Sequence, residues 1–467
     1  MDNPVYFIGS ETASQSLGRQ LGADSLVLKS LAGLDMGLAM TVLVATPIVN
    51  LVIDLNATQQ LPLAAELLRR IVRGGLRSIN LITLGDQFVP LCLADSIDLL
   101  AANHFTMSPH GEISDLERLR EALKSPIARP VPECRHIEMQ GVELKTYSPE
   151  FFRVVDELVR VADRNVTILL VGETGAGKTT LAKLVHVYSQ RRGHPFQHLA
   201  CGALPPDLIE SELFGHVRGA FTGADRNKIG RFQAAGRGSL LLDEIDVLDV
   251  KQQAKLLKVI ESGEYELVGS PDTLTSEARL IVASNVNLHE LVDDGRFRLD
   301  LYYRLNVLEF RLPPLRERTN DLIPLATQFI EELKTELAID IHRVHRDFFE
   351  ALRAYQWPGN LRELKNHLRR AVLFSMGGEL TVNDLSYNLI RSQFAPAVES
   401  KRPASTWKLV ERVAQSEMEM LRDALAANGN NRTQTAKVLG ISRVGLYKKL
   451  RRLGLVDDAA KELVPGL

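Results

Sequence analysis

Apolar residues fall in short runs along the first 124 residues, separated by amphipathic stretches. Residues 5–8, 50–54 and 79–83 are strand-like, while 64–72 and 114–123 are helix-like. The alternation predicts a small doubly wound α/β domain. The uncharged stretch 36–53 approaches membrane length, but Pro47 and Asn50 interrupt it. A helix, a turn and a buried strand fit it better than a membrane span. Further on, 166–171, 238–244 and 280–284 read as buried strands, and beyond about residue 313 the pattern turns almost purely helical. Residues 407–428 are predicted to form an amphipathic helix. Residues 432–439, then Gly440, then 442–453 read as helix-turn-helix.

Two breaks punctuate this pattern. Residues 125–132 hold three prolines in eight positions, and 391–406 are poor in apolar residues with two prolines. The predicted division is a doubly wound domain over 1–124, a linker over 125–144, and an α/β domain with a helical lid over 145–390. A tether over 391–406 and a helical DNA-binding module over 407–467 complete it.

Composition narrows the class. At 467 residues, 45% hydrophobic and 24% charged, the chain has ordinary globular composition and is too long for one core. Its net charge of −2 means that contact with nucleic acid needs a local patch. Residues 431–455 supply one, with seven Lys/Arg and no Asp/Glu. Three cysteines, Cys92, Cys134 and Cys201, are odd in number and far apart, which suits a reducing compartment. The N-terminus has no basic region of the kind that opens a signal peptide, so a cytoplasmic protein without a membrane segment is expected.

The strongest chemistry begins at the end of the strand 166–171. Gly172, Glu173, Thr174, Gly175, Ala176, Gly177, Lys178 and Thr179 match G-x-x-x-x-G-K-[ST] between a strand and a helix. Glycines let successive N–H groups converge on phosphate oxygens, and the helix N-terminus adds positive potential. Lys178 is expected to reach the β/γ-phosphates of ATP and Thr179 to ligate Mg²⁺. The strand 238–244 ends in Asp243 and Glu244, where parallel sheets bind ligands. Asp243 is expected to hold the metal's water shell, and Glu244 to orient and deprotonate the attacking water.

Around these motifs the chain resembles the bacterial enhancer-binding proteins, AAA+ ATPases that activate transcription by sigma-54 RNA polymerase. The resemblance rests on ESELFGHVRGAFTGA (210–224), QAKLLKVIESGEYELVG (253–269), GRFRLDLYYRLNV (295–307), LPPLRER (312–318) and WPGNLRELKN (357–366). It implies a self-assembled ring, usually a hexamer, with nucleotide between subunits. Arg298 and Arg304 match the arginine-finger region supplied in trans, where a guanidinium stabilises transition-state charge. The alternative for each is an ion pair on the helix face, since Asp300 lies between them. Arg362 matches the lid sensor that contacts phosphate in cis, and Asn285, ending strand 280–284, matches the sensor that positions water. Gly219, Ala220, Phe221, Thr222, Gly223 and Ala224 match the loop that engages sigma-54 polymerase holoenzyme. An aromatic and a hydroxyl bracketed by small residues bury poorly and suit an exposed, movable tip. The family usually carries Asn where this chain has Ala200, and that Asn is thought to hold the catalytic glutamate off water. Without a side-chain donor at Ala200, Glu244 is expected to lack this restraint.

Both ends extend the resemblance. The first domain is similar to a response-regulator receiver, with Asp54 at the phosphoacceptor position and Thr83 ending the next strand. Gly9 and Ser10 replace the metal-binding acidic pair, and Ser108 the lysine, so in-line transfer to Asp54 lacks electrostatic support. A pseudo-receiver is the expectation. The C-terminus resembles a Fis-type helix-turn-helix, with Arg443, Tyr447 and Lys448 facing the groove of double-stranded DNA at upstream enhancer sites. Gly445 in the reading helix costs about 1 kcal/mol of helix stability. The alternative is a DNA-binding regulator or repressor that kept the AAA+ fold without remodelling; the intact Phe221-Thr222 pair argues against it.

Overall fold

The computed structural model describes residues 4–386 apart from 23–27, 32–35, 45–48, 76–77, 101, 109–110 and 125–128, together with Leu389 and Thr435. Residues 1–395 form one compact unit and 396–467 a second. The helix-turn-helix reading, with Arg443, Tyr447 and Lys448, lies outside the described residues.

The chain opens β1 (Val5–Ile8), α1 (Glu11–Leu21), β2 (Leu28–Ser30), α2 (Met36–Val44), β3 (Val49–Asp54) and α3 (Leu61–Arg70). It continues β4 (Ser78–Gly85), β5 (Phe88–Pro90), α4 (Leu91–Leu99), β6 (Asn103–Thr106), α5 (Leu116–Lys124) and β7 (Arg129–Pro130). The sheet order is β2-β1-β3-β4-β6 with every neighbour parallel, and β7 adds antiparallel to β4. This is a doubly wound order, and β1 and β3 are buried at every position because helices cover both faces. The long uncharged stretch becomes α2 and β3. Helix α3 starts ahead of the expected residue 64 because Pro62 fits a first helical turn. It gives way at residue 71 to a turn in which Gly74 takes φ +108°.

A hairpin of β8 (Arg135–Met139) and β9 (Val142–Thr146) occupies the end of the stretch read as linker. Then come α6 (Pro149–Val161), β10 (Ile168–Val171), α7 (Lys178–Val187), β11 (Phe196–Ala200), α8 (Pro206–Phe214), β12 (Gly215–His216), β13 (Lys228–Ile229), α9 (Arg231–Ala235) and β14 (Ser239–Asp243). After these follow α10 (Val250–Ser262), β15 (Glu264–Glu266), β16 (Thr273–Thr275), β17 (Arg279–Ser284), α11 (Leu288–Asp293), α12 (Leu299–Leu305) and β18 (Leu308–Arg311). The central sheet is parallel throughout in the order β11-β14-β17-β10-β18. Its strands alternate between two cores. Leu240, Leu242 and Val282 enter one, while Leu241, Ile281 and Ala283 enter the other.

The lid is helical, as the sequence predicts: α13 (Thr319–Leu337), α14 (Arg346–Ala354) and α15 (Asn360–Phe374), with short strands β19 (Arg343–His345) and β20 (Glu379–Leu380). A further core runs from one face of the first sheet, through Ile53 and Leu81, into lid residues Ile330, Phe348 and Leu368. No helix among the described residues is long and apolar enough to cross a membrane.

Candidate nucleotide site and glycine-turned loop

The carboxyl ends of β10, β14 and β17 meet at one cleft, a cavity of about 430 Å³ between the central sheet and the lid. The loop leaving β10 holds Gly175 at φ +77° and Gly177 at φ +107°, backbone geometry that L side chains rarely adopt. Gly175 is doubly constrained, because a Cβ there would strike the carbonyl oxygen of Gly359 in the lid. The loop ends at the first turn of α7, so its N–H groups and the helix N-terminus converge on one point.

Lys178 is 6% exposed, and its ammonium donates to the carbonyls of Gly172 (2.7 Å) and Glu173 (3.1 Å) and to Asn285 Oδ1 (2.5 Å). Burial draws its pKa below the usual lysine value, against the pull of Asp243, Glu244 and Asp246. A desolvated ammonium held by neutral oxygens has strong reason to accept an anionic phosphate. Thr179 Oγ1 lies 3.5 Å from Asp243 Oδ2. Burial alone would raise the Asp243 carboxyl, but the His198 ring 3.7 Å away and the Lys178 cation hold it below the ordinary carboxylate value. A hydroxyl and an ionised carboxylate side by side are hard oxygen donors that fit a magnesium ion.

Glu244 takes φ +58° and ψ +50°, the sparsely populated left-handed region. The sharp turn brings its carboxylate back to the end of β17, where Asn285 Nδ2 donates to Oε1 at 3.2 Å. One amide therefore bridges the ammonium of Lys178 and the carboxylate of Glu244. The register sets Ala200 opposite Asp243, and its methyl offers no donor, as the sequence indicates. The side-chain donor to Glu244 comes from Asn285 and not from residue 200. A second neighbour is not visible in the sequence: Glu244 Oε2 occupies the space where a Cβ on Gly202 would stand. No sequence pattern marks Gly202, since the approach comes from a different strand.

The lid reaches the phosphate loop through Asn360, whose Nδ2 donates to Glu173 Oε2 and the Thr174 carbonyl, both at 3.1 Å. Leu361 N donates to the Gly175 carbonyl (3.1 Å), and Arg316 forks onto Glu173 (2.9 and 2.7 Å). Arg362 then lines the cavity, together with Lys365 and Arg369. Arg298 and Arg304 lie elsewhere. Arg298, partly exposed, pairs with Asp300 (2.7 Å), and Arg304, exposed, pairs with Glu261 (3.1 Å). Neither lines this cavity.

The loop 219–224 springs from the hairpin of β12 and β13. Gly219 (φ +82°) and Gly223 (φ +98°) turn it, and Gly219 N donates to the Ala224 carbonyl at 2.9 Å. Phe221 is 37% exposed, its ring edge against His216 with centroids 5.0 Å apart, while Ala224 is buried. The tip is partly presented to solvent. Asp54, by contrast, is 3% exposed, and burial raises its pKa against backbone bonds from Asn56, Ser10 and Ala57. Burial thus works against the ionised form of this carboxyl, while Gly9 and Ser10 stand where a metal-binding acidic pair would be.

Comparison with known proteins assigns the class. Residues 144–311 match the sigma-54 interaction domain, 316–401 the AAA+ ATPase lid domain, and 412–453 the bacterial regulatory protein Fis family. The chain belongs to the AAA+ sigma-54 activator family: it is a nucleotide-binding ATPase carrying a Fis-type DNA-binding module. Among its relatives, regulatory protein AtoC of Escherichia coli is 38% identical over 330 residues, 69% of this chain and 71% of that protein. The DNA-binding transcriptional regulator NtrC of Rhizobium meliloti is 34% identical over 362 residues, 72% and 74% of the two chains. The crystal structure of NtrX from Brucella abortus in complex with ATP aligns over 97% of this chain and 100% of its own, with a TM-score of 0.51 at 23% identity, a likeness of fold.

Proposed function

We propose that this chain binds upstream enhancer DNA in the cytoplasm, assembles into a ring, and hydrolyses ATP to drive the 219–224 loop against sigma-54 RNA polymerase, opening the promoter. The observation that carries this reading is the Lys178–Asn285–Glu244 bridge. It joins the residue that meets the γ-phosphate to the residue that activates water. When Lys178 turns to phosphate it leaves Asn285 Oδ1, which is then free to accept from the attacking water while Nδ2 keeps Glu244 in place. Glu244 then accepts the proton of the attacking water as it adds in line to the γ-phosphorus, the bond from that phosphorus to the β,γ-bridging oxygen breaks, and ADP and inorganic phosphate leave. Thr179 and Asp243 would hold a magnesium ion, which would neutralise phosphate charge. Arg362 contacts phosphate in cis. Arg298 at the start of α12 and Arg304 within it, held by replaceable carboxylate partners, serve a neighbouring subunit's nucleotide.

The first domain, over 1–124, acts as a pseudo-receiver without phosphorylation of Asp54. The ATPase domain spans 145–390 and the DNA-binding domain 407–467, where Arg443, Tyr447 and Lys448 contact the DNA. An open-complex assay with sigma-54 holoenzyme tests the whole reading. Wild-type protein with ATP should open promoter DNA, and Glu244→Gln protein should bind ATP and fail. Promoter opening without nucleotide would overturn it.

A further inference from the structure

Strand β5 belongs to the first domain by sequence but not by pairing. It lies outside that domain's sheet and joins the lid instead, in the order β20-β19-β5. The β5–β19 pairing is antiparallel, with Val89 opposite Val344. Leu91 N to the His342 carbonyl (2.9 Å) and Arg346 N to the Gln87 carbonyl (3.0 Å) extend it at both ends. Beneath this seam, Val89, Leu93 and Ile97 are buried in one continuous core with lid residues Ile330, Leu333, Val344 and Phe348. Two surfaces that both need burial cover each other.

Polar contacts fix the register of the seam. Asp98 is bonded by Arg353, and Asp86 pairs with Arg343 at 3.3 Å. The guanidinium of Arg343 also lies 4.6 Å from the ring centre of Phe88. Arg346 reaches past the seam to the far end of β4, where its guanidinium donates to Thr83 Oγ1 at 3.2 Å. Thr83 Oγ1 in turn lies 3.1 Å from His104 Nδ1 on β6. The lid thus contacts the edge where β4 and β6 end. From the seam, α4 lies along α13, and α13 is tied to α15 by Lys365–Glu332 (2.7 Å) and Arg369–Glu336 (2.9 Å). Helix α15 begins at Asn360 and carries Arg362, the residues that meet the phosphate loop and its nucleotide cavity.

We propose that the β5–α4 face of the first domain is a lid-binding surface, and that the domain is an integral brace of the lid which sets nucleotide affinity. A lid already held against the phosphate loop loses less freedom when nucleotide arrives, so bracing and nucleotide binding favour each other. This goes beyond the proposed hydrolysis, because it concerns ADP and ATP binding before any chemistry.

The test uses the full-length chain with ADP as probe. Val89→Asp places a charge in the middle of the seam without entering the sheet of the first domain. Arg353→Ala removes the partner of Asp98 from a position that is 39% exposed, and so serves as the variant that keeps its fold. Hydrogen exchange at the Leu91 and Arg346 amides reports whether the seam is closed, and titration reports the ADP dissociation constant. The expected result is protected amides in the wild type, faster exchange in both variants, and ADP binding weakened by at least about fivefold in Val89→Asp. Unprotected seam amides in the wild type, or a seam opened by either variant with an ADP constant within about twofold of wild type, would overturn the proposal. Intact ATP hydrolysis alongside altered ADP binding would leave the catalytic reading standing, and so separates the two.

Discussion

Gly202 stands beside the proposed catalytic glutamate with no chemistry of its own, and it offers a sharp test of where that glutamate works. It sits after β11 in a single helical turn, is solvent-exposed, and does not have a positive φ, so its backbone accepts alanine. A Cβ there would overlap Glu244 Oε2 and stand 3.0 Å from the carboxyl carbon. To restore ordinary carbon–oxygen contact the carboxylate must retreat by roughly 1–2 Å. Glu244 is the flexible partner, so the fold absorbs the change, and replacing an exposed glycine stabilises by about 0.4–1 kcal/mol. The retreat pulls Oε1 away from Asn285 Nδ2, now at 3.2 Å, and moves the base away from the attacking water. A misplacement of about 1 Å costs about 10²-fold, within the roughly 10²–10⁴ that a general base supplies. Gly202→Ala should therefore lower kcat for phosphate release by about 10²-fold. ADP affinity should be nearly unchanged and the unfolding midpoint should not fall. A kcat close to that of the wild type would show that Glu244 does not act from the position it holds here.

Four further outcomes follow from the same geometry. If Arg298 and Arg304 act in trans, specific ATPase activity should rise with protein concentration, and mixing Glu244→Gln with Arg304→Ala chains should recover part of it; concentration-independent turnover by a monomer would contradict this. Thr222→Ala or Phe221→Ala should abolish open-complex formation while leaving ATP hydrolysis within a few-fold of wild type, measured in parallel on one preparation. Ala200→Asn adds a second donor beside Glu244 and should lower basal turnover while raising the ratio of stimulated to basal rates; an unchanged ratio would mean that another residue does the switching, or none does. Burial and the nearby Arg346 cation hold His104 at about 4, below its usual 6.5. The unfolded chain therefore takes up this proton first, so the contribution to stability is full above about 6.5 and shrinks as pH falls towards 4. Denaturation across that window should show a loss of about 1–2 kcal/mol, after allowance for partial solvent exposure, that His104→Gln removes.

The nucleotide site was legible in the sequence because its parts are local. A glycine loop between a strand and a helix, and two carboxylates ending a strand, need only their neighbours to define their chemistry. The parallel α/β sheets were legible for the same reason, since runs buried on both faces carry few polar residues. Element ends shifted where a local detail intervened, as Pro62 moved the start of α3 and Gly74 shaped the turn after it.

What only the tertiary structure decided involves residues far apart in sequence. Asn285 meets Glu244 because β17 and β14 are neighbours in the sheet, and Gly202 meets it because β11 flanks β14 on the other side. Ala200 identifies a missing side chain, but the amide that bonds Glu244 follows a strand well downstream. Strand β5 is the clearest case. Its three residues, Phe-Val-Pro, resemble any short edge strand, and a strand's partner is set by which unpaired backbone edge lies within reach. Here that edge belongs to the lid, where Val344 meets Val89 across most of the chain's length, a pairing that no local hydrophobic pattern encodes.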